Sequence, residues 1–291
     1  MDMIWTLFNS LCAALLPQIP YAVGLALLFT FLTLYQSQAC NPGKVWWKNR
    51  ELLTDIQYFF MVPIISPYTR IITMIIVISA LSGVMTEPEI ADYVKNGRGP
   101  IGQLPFWAQV AFYIFGTDFL LYWAHRMFHN MVLWPFHAVH HSSIDLDWTS
   151  TFRTHPVNQM LGSGMVSMFM ILMGVPPVIM IALVPFDTIS AAFVHANLNW
   201  TLGPLKYVLA TPVFHRWHHT GVDEGGDSNF SSTFAICDYL FGTFYMPEGQ
   251  LPQEYGVDDP LFPTTWHGQM IVPFKQFIDR LQQPAKPKAQ A

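Results

Sequence analysis

Eight of the eleven histidines fall into three tight groups whose spacing is that of metal ligands. The first is His125-Arg-Met-Phe-His129, an HxxxH. The second is His137-Ala-Val-His140-His141, an HxxHH, and the third, His215-Arg-Trp-His218-His219, repeats it. Helical residues four apart lie about 40° apart around the axis, so both imidazoles of an HxxxH can reach one ion. In HxxHH the first and last histidines share a face in the same way. The middle one is turned by about 100° from its neighbour and can serve a second ion or orient the first. Eight nitrogen donors are too many for one ion, so two metals are the simplest account. A lone histidine is ordinarily a hydrogen-bonded polar residue at an interface, but packing does not call for the same ligand spacing three times.

Other polar residues gather near these groups. Asp118, Tyr122, His125 and His129 follow one another at steps of four, three and four. On a helix they occupy an arc of about 60°, a single stripe ending in the HxxxH. Asp118 and Tyr122 are therefore candidate catalytic residues, Asp118 as a carboxylate that orients a ligating imidazole. The plainer alternative for Asp118 is a residue near the water interface with no role. His195 and Asn199 are also four apart. His195 is expected to be a ninth ligand, and Asn199 a direct or water-bridged one, with Asn197 a further candidate. His155, in Arg153-Thr-His155-Pro156, is either a ligand or a substrate contact, and His267 stands alone as a structural residue.

The elements that must hold these donors are apolar. Hydrophobic residues make up 52 % of the 291 and charged residues 11 %, too few to cover a soluble surface. Four apolar stretches approach the roughly 20 residues a membrane-crossing helix needs. They are Leu11 to Tyr35, Pro67 to Met85, Leu104 to Ala124, and Met160 to Asn197. The last is long enough for two helices and is broken at Pro176-Pro177, so it reads as a hairpin whose ends return to one side. If Met1 lies outside and the chain crosses at each stretch, only Lys95 and Arg98 of the fourteen basic residues remain outside. That agrees with the positive-inside rule and places every histidine group and the C-terminus in the cytoplasm. The tail from Gln282, rich in Pro, Lys and Ala, reads as disordered.

The same composition excludes several functions. With a net charge of -5 and no basic cluster, the chain offers nothing to neutralise nucleic-acid phosphates. Cys12, Cys40 and Cys237 are too far apart for a CxxC motif and are read as apolar packing residues. The start lacks the basic region of a cleavable signal peptide. No glycine-rich nucleotide fingerprint occurs between a strand and a helix, so electrons for any redox step are expected from a separate protein. Arg126, Arg153, Lys206 and Arg216 are candidates for its docking face, or for a lipid phosphate. A zinc hydrolase would show a general-base Glu beside its ligands, as in HExxH, and none of the groups contains one. A metal transporter would carry ligands near the membrane midplane rather than past helix ends.

The order HxxxH, HxxHH, HxxHH around a membrane hairpin resembles the fatty acid hydroxylase superfamily, also called the sterol desaturase family. The likeness includes Asp118 through His129, Phe136 through Ser143, Asp147-Trp148, Arg153 through Pro156, Phe214 through His219, Asp227 through Phe230, and Asp238 through Tyr245. It covers residues 104–256, with 1–103 as N-terminal spans and loops and 257–291 as a C-terminal cytoplasmic segment. The resemblance implies an all-α, multi-pass membrane bundle of about four to five spans with a cytoplasmic histidine-rich cap. It implies two iron ions cycling between Fe2+ and Fe3+, O2 as co-substrate, and hydroxylation of a membrane lipid, with a desaturase as the alternative. The electron donor would be of ferredoxin or cytochrome b5 type with an NAD(P)H reductase. The eight clustered histidines and His195 would be the ligands, with Asp118 and Asn199 tuning them. Some members carry another histidine four residues after the counterpart of His195, where this chain has Asn199. Zinc could replace iron in a purified sample, because imidazole suits either. A bacterial inner membrane is the expected location, with the endoplasmic reticulum as the alternative.

Overall fold

The computed structural model describes residues 9, 16, 18–34, 38–82 and 86–282, and these contain helices and no strand. Eleven α-helices follow in order among them: α1 Gln18–Leu34, α2 Leu52–Ser82, α3 Glu87–Asn96, α4 Phe106–Phe128, α5 Trp134–His141, α6 Pro156–Met173, α7 Pro177–Ala182, α8 Val184–His195, α9 Pro212–His218, α10 Ile236–Phe241 and α11 Trp266–Gln282. Cys12 and the tail beyond Gln282 lie outside the described residues.

The long helices form an apolar bundle. Packing runs α2 against α6 and α4 against α6, around a core that includes Tyr113, Val166, Met170, Val175 and Ile179. The hairpin breaks where expected. Gly174 caps α6 at φ 85°, ψ 18°, a left-handed conformation that a side chain would oppose. Pro176 and Pro177 then start α7. Pro156–Met173 and Pro177–His195 are both long and apolar enough to cross a membrane. Outward positions on this bundle are apolar as well, with Leu27, Phe31, Ile75, Phe115, Leu172 and Ile181 exposed. Apolar side chains on both faces of the helices fit a lipid surround better than water.

The second predicted span, Pro67 to Met85, falls within the later part of a longer helix, with position 85 outside the described residues. It is expected from Pro67, whereas α2 begins at Leu52 and runs through positions 63 and 67. Its first turns carry the buried polar residues Thr54, Asp55 and Tyr58, which hydropathy counts as loop. Short elements close one end of the bundle. The α5 helix packs on α11, α9 on α8, and a 3-10 turn at Trp148–Phe152 lies against both α2 and α8. The α4 and α8 helices end here and α6 begins here, so three long helices and two short ones meet at one point.

Candidate metal centre

Each ligand group sits where a helix stops or on a helix of eight residues or fewer. His125 lies in the last turn of α4 and His129 is its C-cap. The α5 helix is eight residues long and α9 is seven, and both have Pro in the first turn, where its missing N–H costs nothing. In α9 the Thr211 hydroxyl caps the start by accepting from the Phe214 N–H at 3.1 Å.

The nine histidines divide into two groups. His125, His129, His137, His141 and His218 form one; His140, His195, His215 and His219 form the other, with ligand atoms within 4.8 Å of one another in each. Each HxxHH sends its outer pair to one group and its middle histidine to the other. His137 and His141 join the first group while His140 joins the second, and α9 does the reverse.

Hydrogen bonds fix which nitrogen is free in five of the rings, those of His125, His137, His140, His195 and His218. In the second group the Nδ1–H of His140 donates to the Arg153 carbonyl at 3.1 Å and that of His195 to the Ala191 carbonyl at 2.7 Å. A carbonyl only accepts, so the Nε2 atoms of both rings carry lone pairs. Those two Nε2 atoms are nevertheless 3.2 Å apart. The chain continues with His195 to His215 at 3.1 Å and His215 to His219 at 3.2 Å, again through Nε2. The two fixed lone pairs, those of His140 and His195, cannot hydrogen-bond to each other, whereas a cation between them is attracted to both. Imidazole nitrogens each about 2.1 Å from one ion would stand roughly 3.0–3.4 Å apart, which matches.

The first group makes the same case through orphaned atoms. The Nδ1–H groups of His125 and His218 donate to the carbonyls of Phe230 at 2.7 Å and Ser228 at 2.6 Å. His137 Nδ1–H donates to the Asn158 side-chain oxygen at 2.9 Å, and His129 Nδ1 faces the Asp227 carboxylate at 3.4 Å. The Nε2 atoms of His125, His129 and His218 are then buried without a partner. Leaving each so costs about 1–3 kcal/mol, a penalty that metal binding would remove. Carbonyl and carboxylate partners on the far nitrogen are the usual outer support of metal-bound imidazole. The residues present therefore fit two metal ions.

Electrostatics point the same way. Burial, and then the neighbouring imidazoles, hold His137, His140, His141, His215, His218 and His219 well below the ordinary imidazole range. They are neutral when folded and take up protons when unfolded below about pH 6.5. Unfolding therefore gains protons as the pH falls, and the stability present above about 6.5 is lost below it. Metal-free protein should show a falling unfolding midpoint from pH 7 to pH 5 in a thermal scan, and metal retention should fail over the same interval. A flat profile would contradict buried neutral donors.

Several expected residues stand elsewhere. Asp118 holds no imidazole; its carboxylate accepts the N–H groups of Thr233 at 2.6 Å and Phe234 at 3.1 Å. It thus anchors the loop whose Phe230 carbonyl supports His125. The Tyr122 hydroxyl pairs with Thr243 at 2.9 Å and accepts from Arg126. Asn199 does not continue the face of His195, because α8 ends there and Ala196 turns extended at φ -57°, ψ 148°. It lines a surface groove with Lys206 and Leu251 instead. Asn197 is a backbone clamp, donating to the carbonyls of Asn41 and Lys44 and accepting from the Asn41 N–H. His155 caps α6 by accepting from the Val157 N–H, and His267 is exposed. Arg153 and Arg216 form no docking face. They are 0 % and 1 % exposed, and Arg216 donates to the carbonyls of Leu146 and His195. Sequence reasoning missed Asn158 and gave no role to Asp227 and Asp238, although both lie in the segments that carry the resemblance; Asp238 accepts from the N–H groups of Phe230 and Ser231.

A family model described as fatty acid hydroxylase matches residues 110–243. Ornithine lipid hydroxylase OlsE of Rhizobium tropici is 31 % identical over 156 residues, covering 53 % of this chain and 47 % of that protein. Alkylglycerol monooxygenase of Xenopus tropicalis is 35 % identical over 149 residues, 50 % of this chain and 32 % of its own length. Methylsterol monooxygenase 1-1 of Arabidopsis thaliana is 25 % identical over 239 residues, 76 % of this chain and 72 % of its own. The chain thus spans less than half the length of the first two relatives. No solved structure matches.

Proposed function

We propose, from the match of residues 110–243 to the fatty acid hydroxylase family model, that the chain is a membrane oxygenase of that superfamily inserting a hydroxyl into a C–H bond of a lipid. The observation that carries this is the convergence of nine imidazoles, several with their far nitrogens pinned by carbonyls, into two groups. Two bound iron ions would supply the redox chemistry, R–H + O2 + 2 e− + 2 H+ giving R–OH + H2O, which redox-inactive zinc would not.

The chain's own residues set where that chemistry falls. A cavity of about 200 Å³ opens on His125, His137, His140, His195 and His215. Leu121, Ala124, Phe128 and Val194 supply its apolar walls, which exclude water and receive a hydrocarbon segment. The α4, α6 and α8 helices bound it, so the lipid enters from between the spans. The asymmetry of basic residues supports a cytoplasmic side for the imidazoles and C-terminus, where a donor of ferredoxin or cytochrome b5 type would deliver two electrons. Relatives named for ornithine lipid and alkylglycerol direct the search toward polar membrane lipids.

Lipids from cells with and without the expressed protein, compared by mass spectrometry, should differ by species that have gained one oxygen. Loss of two hydrogens without oxygen would make it a desaturase. A cleaved ester or amide as the sole change would remove the oxidative reading.

A further inference from the structure

A second cavity, about 250 Å³, adjoins the metal-facing one deeper in the bundle. Leu121, Asn158, Gln159, Gly162, Ala191 and Ser232 line both. Among apolar residues such as Ile114, Val166 and Met180, its far end carries polar groups that a hydrocarbon tail does not need. Thr117 and Asp187 each lie eight residues before a ligand on the same helix, His125 on α4 and His195 on α8. At 1.5 Å per residue both sit about 12 Å from the metal end. Ser167 stands nine residues beyond Asn158, the partner of His137, on α6, roughly 13 Å away by the same rise. Three helices therefore place a hydroxyl or carboxylate at one level.

Two further facts point to a ligand at that level. Thr117 is only 9 % exposed, lines the chamber, and its hydroxyl has no hydrogen-bond partner. Such a group costs about 1–3 kcal/mol unless something fills it. The charge is also one-sided. Asp118 and Asp187 line the chamber, the latter accepting from the Tyr113 hydroxyl at 2.9 Å, and among the described residues no Lys or Arg lines either cavity. Carboxylates within a membrane bundle refuse anions and favour donors.

Building on the lipid-oxygenase reading, we propose that this level is a subsite for a hydrogen-bond-donating group of the substrate, a hydroxyl, amide N–H or ammonium, held about 12 Å from the oxidised carbon. A lipid with a carboxylate or phosphate at that distance is refused.

Binding tests this without turnover. The full chain in nanodiscs is titrated, in competition with a fluorescent lipid, with hexadecylglycerol, an N-hexadecanoyl diamine and hexadecanoic acid. The diol and the aminoamide should bind at least about tenfold tighter than the acid, and Thr117→Val should weaken both about fivefold. Asp187→Asn should weaken the ammonium probe most and admit the acid; which donor probe binds tighter identifies the group. Thr117→Val should fold as well as the parent, since it removes an unpaired hydroxyl. Equal affinity for acid and donors, or donors indifferent to both variants, overturns the subsite. A protein that discriminates yet never oxygenates lipid would sink the oxygenase reading and leave the subsite standing; the converse outcome removes the subsite alone.

Discussion

If the parent binds the two ions proposed, His140→Ala should leave one metal ion per chain, and should cut the proposed lipid oxidation by about 100-fold or more. The magnitude follows from comparison: losing an outer partner of a metal-bound histidine already costs about 10–100-fold, and His140 is a donor itself. The position is informative because it separates two groupings of the same sequence. In α5 His140 lies beside His141, yet it belongs with His195, His215 and His219 rather than with its neighbours. Its ring reaches them because the Arg153 carbonyl holds Nδ1 and turns Nε2 toward His195. His141→Ala should therefore empty the other site. Elemental analysis of each variant, with His267→Ala as an exposed control that keeps both ions, decides the matter. Loss of both ions from either single variant would mean one shared centre rather than two.

The legible part of this site was the part written in spacing. HxxHH on one short helix must split its donors between two directions, because the middle residue is turned by about 100° from the next. The hairpin was legible for a similar reason, since Pro176-Pro177 interrupts an otherwise continuous apolar run. Asn199 shows where spacing fails. Four residues from His195 means one face only if the helix continues, and Ala196 ends it. Asp118 shows a second failure. The stripe it shares with His125 is real, but a carboxylate binds whatever donor a distant loop presents, and here that is the backbone of Thr233 and Phe234. Phe230 and Ser228 support their histidines through main-chain carbonyls, which no residue type reveals. Arg153 and Arg216 looked like surface charges because their partners lie in other segments, Asp55 and Glu51 for one and Asn41 and Tyr255 for the other.

That first arginine carries the largest stability effect expected outside the ligands. Arg153 donates through Nε to Asp55 at 2.8 Å and pairs with Glu51 at 3.2 Å, while Thr149 donates to the same Asp55 at 2.8 Å. All three charged groups are buried. Each contact at about 4 Å is worth roughly 4 kcal/mol at an effective dielectric of 20, and desolvation costs several kcal/mol per ion. The intact network is thus nearly neutral for stability, but removing the cation leaves two carboxylates buried side by side. Arg153→Met should cost about 3–5 kcal/mol, lowering the unfolding midpoint in detergent by ~10 °C. Adding Asp55→Leu and Glu51→Gln to it should recover most of the loss, because the uncompensated charges go with the arginine. The damage should also be directional. The carbonyl that Arg153 offers to His140 moves with its side chain, so the four-histidine group should release metal before the five-histidine group does. A midpoint within 1–2 °C of the parent, or equal release from both groups, would mean that the α2 helix is not a support of the second site.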